Sequence, residues 1–260
     1  MYKERASMRL TVVGGTGRIG SRLCAAALAQ GHQVLAVSRR GTKPRLGSDL
    51  LDVHTLACDL AADSKLPDQL TQADVIFDLT NSMQEPQTMV AGAQNLLAAL
   101  EGLENPAKVV CLGIINCHDS SYPYYRAKTA QANIYASYSR GYTLKAAQFF
   151  SFPEMFFSLG KKYGCLTYPA QSSFQLVSEE EVVQELLGAL EETPAQNWEL
   201  VGPETVTSRQ IAQRYRAAQN LWQLPLPFYL GGPLGQFFRA GKNLSEKAQR
   251  ARTPYTGRSS

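Results

Sequence analysis

The sequence is short of charge, of histidine and of paired cysteine, and each shortage removes a class of function. Charged side chains make up 18% of the 260 residues, and the formal net charge is only +4. That excess suits a small anionic ligand but is too slight to argue for nucleic acid. The three histidines, His32, His54 and His118, lie far apart without metal-ligand spacing, so no metal site is expected. The five cysteines (Cys24, Cys58, Cys111, Cys117, Cys165) are odd in number and hold no C-x-x-C pair. They read as free thiols in a reducing cytoplasm, several of them small hydrophobes within apolar runs. No apolar run is long enough to cross a bilayer, and Met1 to Arg9 is polar and basic, unlike a secretory leader. A cytoplasmic protein that meets neither membrane nor nucleic acid is expected.

What the chain does have is concentrated near its start. Thr11-Val12-Val13 runs into Gly14-Gly15-Thr16-Gly17-Arg18-Ile19-Gly20, and the apolar positions Ile19, Leu23, Ala26 and Ala27 follow with helical spacing. This is a strand, a glycine turn and a helix start. A helix N-terminus offers unpaired N–H groups and the positive end of the peptide dipoles, which suits a pyrophosphate. Two glycine spacings overlap, Gly14-x-x-Gly17-x-x-Gly20 and Gly15-x-Gly17-x-x-Gly20, and the strand–turn–helix context is what gives such a motif its meaning. Dinucleotide binding is the expectation.

Downstream, strands alternate with helices. Val34–Val37, Val53–Ala57, Val75–Leu79, Val109–Gly113 and Tyr142–Gln148 read as strands, with helices through Val90–Leu100 and Tyr124–Tyr138. The alternation predicts an α/β fold with a Rossmann-type, doubly wound parallel sheet. From about Ser151 the rhythm changes. Phe152-Pro153-Glu154-Met155-Phe156-Phe157 is strongly aromatic, Ser178 with Glu181 and Thr207 with Gln210 open capped helices, and Trp198–Val201 reads as a strand. Pro225, Pro227, Gly231, Gly232, Pro233 and Gly235 mark an irregular segment. Residues 1–260 are read as a single domain, with a core over 8–150 and a small C-terminal substrate lobe over about 151–260.

The cofactor residues follow from the strand ends. Binders of NAD usually carry an acidic residue about 20 positions past the glycines, to grip the ribose 2′-hydroxyl. Here the second strand ends in Ser38-Arg39-Arg40. Guanidinium groups pair with a 2′-phosphate and Ser38 adds a hydrogen bond, so NADP(H) is favoured over a merely solvated turn. Arg18, on the first helical turn, can reinforce phosphate binding. Asp59 and Leu60 lie where the adenine edge would pass, although Asp59 serves equally well as a turn former. Leu79, Thr80 and Asn81 end the fourth strand, either lining the nicotinamide ribose or capping the next helix.

Tyr124 and Lys128, spaced i, i+4, share a helix face and are the candidate catalytic pair. An ammonium beside a phenol favours the phenolate, which would make Tyr124 a usable proton donor, and the same lysine can hold a ribose. A partly exposed tyrosine with a solvated lysine is the plainer alternative, and Tyr125 competes for the role.

These motifs, together with Ala147-Gln148-Phe149-Phe150 and Val201-Gly202-Pro203-Glu204, resemble the atypical short-chain dehydrogenase/reductase superfamily in its NmrA-like, NAD(P)-binding branch. The resemblance implies that Gly14, Gly17, Ile19 and Gly20 border the pyrophosphate and Arg39 the 2′-phosphate. It also implies that Lys128 holds the ribose and that Phe150 lies near the nicotinamide. It breaks at Gly113, where related sequences carry a serine that polarises the substrate carbonyl; Asn116, Cys117, Ser120 and Ser121 are the nearby polar residues. Two functions follow. One is an NADPH-dependent oxidoreductase acting on a small apolar carbonyl or quinone-like acceptor, with aromatic residues from Phe149 to Phe157 lining its pocket. The other is a non-enzymatic NADP(H)-binding redox sensor or regulatory protein, which Gly113 favours. A nucleotide-sugar epimerase or dehydratase is set aside, because the chain looks short for one.

Overall fold

A computed structural model describes residues 7–63 and 65–258. The first six residues, most of the polar N-terminal stretch, lie outside that range. The chain packs into two compact units and passes between them repeatedly. The first takes the chain through Leu112 together with Ala127–Leu144 and Val183–Asn197; the second takes Gly113–Arg126, Lys145–Val182 and the chain from Trp198 on.

The first unit is built on six strands: β1 (Arg9–Val13), β2 (Gln33–Ser38), β3 (His54–Ala57), β4 (Val75–Asp78), β5 (Lys108–Ile114) and β6 (Gly141–Ala146). Their order is β6-β5-β4-β1-β2-β3. β1 pairs in parallel with β2 and β4, β2 with β3, and β4 with β5. From β1 the chain builds outward to β3 and then returns to place β4 on the other side of β1. The strand order therefore reverses between β1 and β4, where open α/β sheets hold their ligands.

Among the helices that accompany these strands are α1 (Arg18–Ala29), α2 (Gln87–Leu100) and most of α3 (Pro123–Ala136). The 3.6-residue apolar spacing in α2 is realised, with Met89, Ala93, Leu96 and Leu100 buried. The unit's core joins Val13, Val37, Ile76, Val109, Leu96 and Tyr135. Cys58 and Cys111 belong to the same core, and Cys24 is buried too.

The second unit is aromatic at its centre. It contains α4 (Glu154–Gly160), β7 (Cys165–Pro169), most of β8 (Asn197–Val201), α5 (Ser208–Ala218), β9 (Leu224–Phe228), α6 (Gly232–Arg239) and β10 (Gln249–Arg250). Phe152, Phe174 and Phe238 contact one another ring to ring, Phe156 meets Phe152 and Phe228, and Phe150 meets Tyr255. The aromatic run thus packs on itself, each edge-to-face pair adding about 0.5–1.5 kcal/mol beyond area burial. Both capped helix starts are present. Glu181 N–H donates to Ser178 Oγ at 3.1 Å, and Thr207 with Gln210 closes a reciprocal capping box.

The segment expected to be irregular is a strand followed by a helix. β9 pairs in parallel with β7, and Ala170 N–H donates to the Phe228 carbonyl at 2.9 Å. By strand alternation Leu224, Leu226 and Phe228 turn their backbone polar groups to β7, and Pro225 and Pro227 turn theirs away. Proline is tolerated on such an edge because no ladder bond is lost. Pro233 stands in the first turn of α6, where its missing N–H costs nothing. A side chain at Gly235 would collide with the Leu230 carbonyl, so the glycine there is a packing requirement.

Candidate functional site

The glycine turn closes over β1 and opens α1. Gly14 has φ +78°, a conformation glycine adopts freely. Gly14 N–H and Gly15 N–H both donate to the Val37 carbonyl, at 2.9 and 3.2 Å, and Gly17 N–H donates to Gly14 at 2.9 Å. A Cβ on Gly14 would sit 2.9 Å from the Leu79 carbonyl oxygen and 3.4 Å from the Thr80 nitrogen, so the turn rests against the end of β4. The N-cap of α1 is Gly17, which has no side chain to cap the helix, and the first turn holds no acidic residue. The positive end of the helix dipole is therefore not offset by a capping or acidic side chain, which suits an anion.

That helix start opens on a cleft of about 700 Å³ within the first unit. Of the sequence-predicted residues, Gly14, Thr16, Gly17, Ser38, Arg39, Arg40, Asp59, Leu60, Leu79, Thr80 and Asn81 line it. Gly15, Ile19 and Gly20 are buried beneath it, and Arg18 is exposed. The strand order spreads these groups. Ser38 ends β2, Arg39 follows it and Asp59 lies past β3 on one side of the turn, and Leu79, Thr80 and Asn81 follow β4 on the other.

At the β2 end, Arg39 and Arg40 are exposed, and Ser38 Oγ is buried without a hydrogen-bond partner. A buried hydroxyl lacking a partner costs free energy unless a ligand completes it. Asp59 adopts its turn-forming role, since Oδ1 accepts from Ala61 N–H at 3.1 Å while its own N–H donates to Asp63 at 3.0 Å. Cys58 also lines the cleft, but burial, then Asp63, pushes its thiol up to about 11, which leaves it a poor nucleophile.

Sequence reasoning missed Thr42, Ser82, Glu85, Thr88, Met89 and Gly92 along the rim. Gly92 was detectable as a glycine inside a helix. Its absent side chain lets α2 approach Leu60, whose Cβ would be 3.1 Å from an added Cβ.

Lys128 is buried on α3 with its ammonium enclosed. Nζ donates to the Thr80 carbonyl, the Leu112 carbonyl and Gln131 Oε1, each at 3.0 Å. Gln131 Nε2 donates to Asp78 Oδ2 at 2.8 Å and to Thr80 Oγ1 at 3.0 Å. Tyr135 donates its hydroxyl to Asp78 Oδ2 at 2.6 Å, and Thr80 N–H donates to Oδ1 at 2.9 Å. None of this was foreseen, although Lys128, Gln131 and Tyr135 fall at i, i+3 and i+7 of one helix.

Tyr124 stands one turn before Lys128 on α3 and is buried, as is Tyr125. Within the second unit Tyr122, Tyr124 and Tyr125 contact one another, and Tyr125 meets Phe237 at 5.2 Å. Burial, with Tyr124 beside it, raises the Tyr125 hydroxyl well above the ordinary tyrosine value. Phe150, also in this unit, is buried against Tyr255. Past β5, Asn116 holds φ 49° and donates from Nδ2 to the Leu244 carbonyl at 3.1 Å, and Ser120 Oγ accepts from Tyr122 N–H at 3.2 Å. Gly113 itself brings no hydroxyl. Among the described residues no His, Cys, Asp and Glu cluster could hold a metal, and no helix is long and apolar enough to cross a membrane.

Comparison with known proteins places this arrangement in context. The NmrA-like family model matches residues 6–119, the part of the chain that carries the glycine turn and the residues lining the cleft. No curated protein sequence matches the chain significantly. Solved structures share the fold at low identity. One is the NAD-dependent NDP-hexosamine 5,6-dehydratase TunA of tunicamycin biosynthesis, at TM-score 0.71 and 13% identity, covering 87% of this chain and 86% of that one. A UDP-N-acetylglucosamine 4-epimerase from Methanobrevibacter ruminantium M1 gives TM-score 0.72 and 15% identity, with coverage of 88% and 87%. A UDP-glucuronic acid 4-epimerase from Bacillus cereus, solved with UDP-glucuronic acid and NAD, gives TM-score 0.70 and 14% identity, with coverage of 87% and 88%. These likenesses establish a Rossmann-type α/β fold. They also remove the argument from length, since those proteins are of nearly the same size as this chain.

Proposed function

We propose that this chain, NmrA-like over residues 6–119, binds a nicotinamide dinucleotide in the cleft of its first unit and prefers NADP(H). The observation that carries the reading is the uncapped helix start at Gly17 opening on the cleft that Ser38, Arg39 and Arg40 also line. The donors suit two separate phosphate groups. The first-turn N–H groups would take the pyrophosphate, and Arg39, Arg40 and the unpartnered Ser38 hydroxyl would take a 2′-phosphate. No carboxylate ends β2 to grip a ribose 2′-hydroxyl, and a carboxylate there would repel the phosphate. Sugar-nucleotide epimerases and dehydratases that share the fold carry NAD, which supports the dinucleotide and leaves the 2′-phosphate preference to these residues.

The reaction class we propose is reduction of a small apolar carbonyl or quinone-like acceptor. The bound nicotinamide would supply hydride, and this chain's part is to bind, orient and protonate. Tyr124 is the proposed proton donor to the acceptor oxygen. A second reading, a redox-state sensor without turnover, rests on Gly113. Without a hydroxyl at that position the chain lacks one donor for the developing oxyanion, worth about 2.7–4 kcal/mol of barrier in a preorganised site.

Fluorescence titration with NADPH and NADH tests the binding claim. Following NADPH consumption over a panel of quinones, flavins and aldehydes tests the reaction. Preference for NADPH with oxidation by at least one acceptor is expected. Tight NADPH binding with no oxidation by any acceptor selects the sensor, and equal affinity for NADH removes the roles given to Arg39 and Arg40.

A further inference from the structure

The second unit leaves a set of large apolar side chains bare. Tyr163 and Trp222 are each 74% exposed and Tyr229 73%, and Met155, Leu159, Leu224 and Leu226 are exposed with them. Leu224 and Leu226 share a side of β9 with Phe228, which meets Phe156 of α4 at 6.0 Å. They therefore lie on the side of the β7–β9 ribbon that α4 covers in part. Met155 and Leu159 stand one turn apart on α4. Trp222 lies on Gly164, where an added Cβ would be 2.7 Å from its ring, and so next to Tyr163. Soluble proteins expose single apolar side chains routinely, but a joined set of this kind marks a contact.

The segments that build this face carry charge of one sign. Residues 155–178 and 205–245 contain no Asp or Glu, although the chain has 22, and they contain seven Lys and Arg. Glu154, at the start of α4, lies near Tyr215 and the buried Tyr255 instead. Arg214 is already spent on Glu204. Three other cations stand beside the exposed aromatics. Lys162 Nζ is 4.8 Å from the centre of the Tyr163 ring and Arg239 Cζ 4.3 Å from that of Tyr229. Arg216 Nε donates to the carbonyl of Leu221, the residue before Trp222, at 3.1 Å.

We propose that this face is a peripheral membrane contact, seated on a bilayer surface rich in anionic lipid. Exposed Trp and Tyr with cations beside them suit the headgroup level, where the rings are half immersed and the cations meet lipid phosphates. Leu159, Leu224, Leu226 and Met155 then enter the acyl boundary. A second copy of this chain fits worse. A two-fold interface sets the patch against itself, so Lys162, Arg216 and Arg239 would meet their own kind with no carboxylate between them. A rigid protein partner would need a pocket for each projecting side chain, whereas a fluid bilayer yields around them. Such a contact requires no long apolar run, which is why the sequence expectation of no membrane did not register it. It belongs to the second unit alone and stands apart from the dinucleotide reading of the first.

Flotation of the full chain with vesicles tests the proposal, using phosphatidylcholine alone and phosphatidylcholine mixed with phosphatidylserine. Binding to the anionic vesicles at least about tenfold tighter than to the neutral ones is expected, with release at about 1 M salt. Trp222 emission should shift to the blue on binding, and Trp222→Phe should abolish the shift. Leu224→Ser combined with Leu226→Ser is expected to weaken binding at least about tenfold, and Lys162→Gln about fivefold, the effect of one cation at an anionic surface. If the double serine variant does not fold, the salt release and the Trp222 shift decide alone. Equal binding to both kinds of vesicle would overturn the proposal, because the cations would then have no part. Binding that leaves Trp222 emission unmoved places the contact elsewhere and overturns it too. Binding to neither vesicle defeats it outright; light scattering then assigns the face, to a second copy if the chain is a dimer that the double serine variant splits, and to an acidic protein partner if it is a monomer.

Discussion

Gly20 stands against the carbonyl oxygen of Gly14, so close that a Cβ at position 20 would be driven into it. The first turn of α1 therefore lies directly on the loop it extends. Gly20→Ala is expected to destabilise the fold by about 1–3 kcal/mol, as overpacking does, and to abolish NADPH binding. Gly188, an exposed helical glycine with open space around it, is the contrasting case. Gly188→Ala should raise stability by about 0.5–1 kcal/mol and leave binding unchanged. Thermal melting and nucleotide titration of both variants check the pair.

Cofactor preference should reverse with charge at the end of β2. Ser38→Asp places a carboxylate where the 2′-phosphate is proposed to sit. NADPH affinity is expected to fall at least about tenfold, with NADH affinity held or improved, because a buried like charge costs more than 1.4 kcal/mol. Arg39→Ser should weaken NADPH alone. Parallel titrations with the two reduced nucleotides read both outcomes.

Tyr124→Phe separates chemistry from binding. If Tyr124 supplies the proton, turnover should drop by about 10²–10⁴ with NADPH affinity nearly intact. Steady-state kinetics with the best acceptor, alongside NADPH titration, measure the split. An unchanged rate takes Tyr124 out of the reaction.

Acid should loosen the second unit through Glu204. Arg214 donates to both carboxylate oxygens of Glu204 and also to the Tyr255 carbonyl at 2.9 Å. The hydrogen bond from Arg214 holds the Glu204 carboxyl below its ordinary value. A depressed carboxylate stabilises the fold above its unfolded pKa of about 4.3, and that stability is lost as the pH falls through the lower, folded value. Both side chains are about a third exposed, so solvent screening limits the contribution to below about 1 kcal/mol. Glu204→Gln should melt slightly earlier than wild type at pH 7, with the difference closing below about pH 4. Melting curves at the two pH values decide it.

The parts of the fold and site that the sequence revealed are those encoded locally. β1, the glycine turn and the start of α1 occupy consecutive residues, and the strand ends at Ser38, Asp59 and Leu79 follow from short β-branched runs. Thr80, Gln131, Lys128 and Asp78 meet across 48 to 53 residues of chain, and no periodicity links them. Helical spacing placed Lys128 on a face but could not say what that face meets. The strand at Leu224–Phe228 was missed for a related reason. Proline lowers strand propensity everywhere, yet the penalty vanishes when its nitrogen points away from the only neighbouring strand, a fact fixed by tertiary structure alone.

Those two prolines also bear on how the protein behaves among its own copies. Among the described residues β9 pairs only with β7; Leu224 and Leu226 on it, and Trp222 and Tyr229 flanking it, are exposed. An apolar margin of this kind ordinarily recruits further strands into growing aggregates. Here the outward positions are Pro225 and Pro227, which present carbonyl oxygens and no N–H at all. An incoming strand would find acceptors without donors and could form only half a ladder. The chain can therefore keep a greasy rim in solution without that rim seeding fibres.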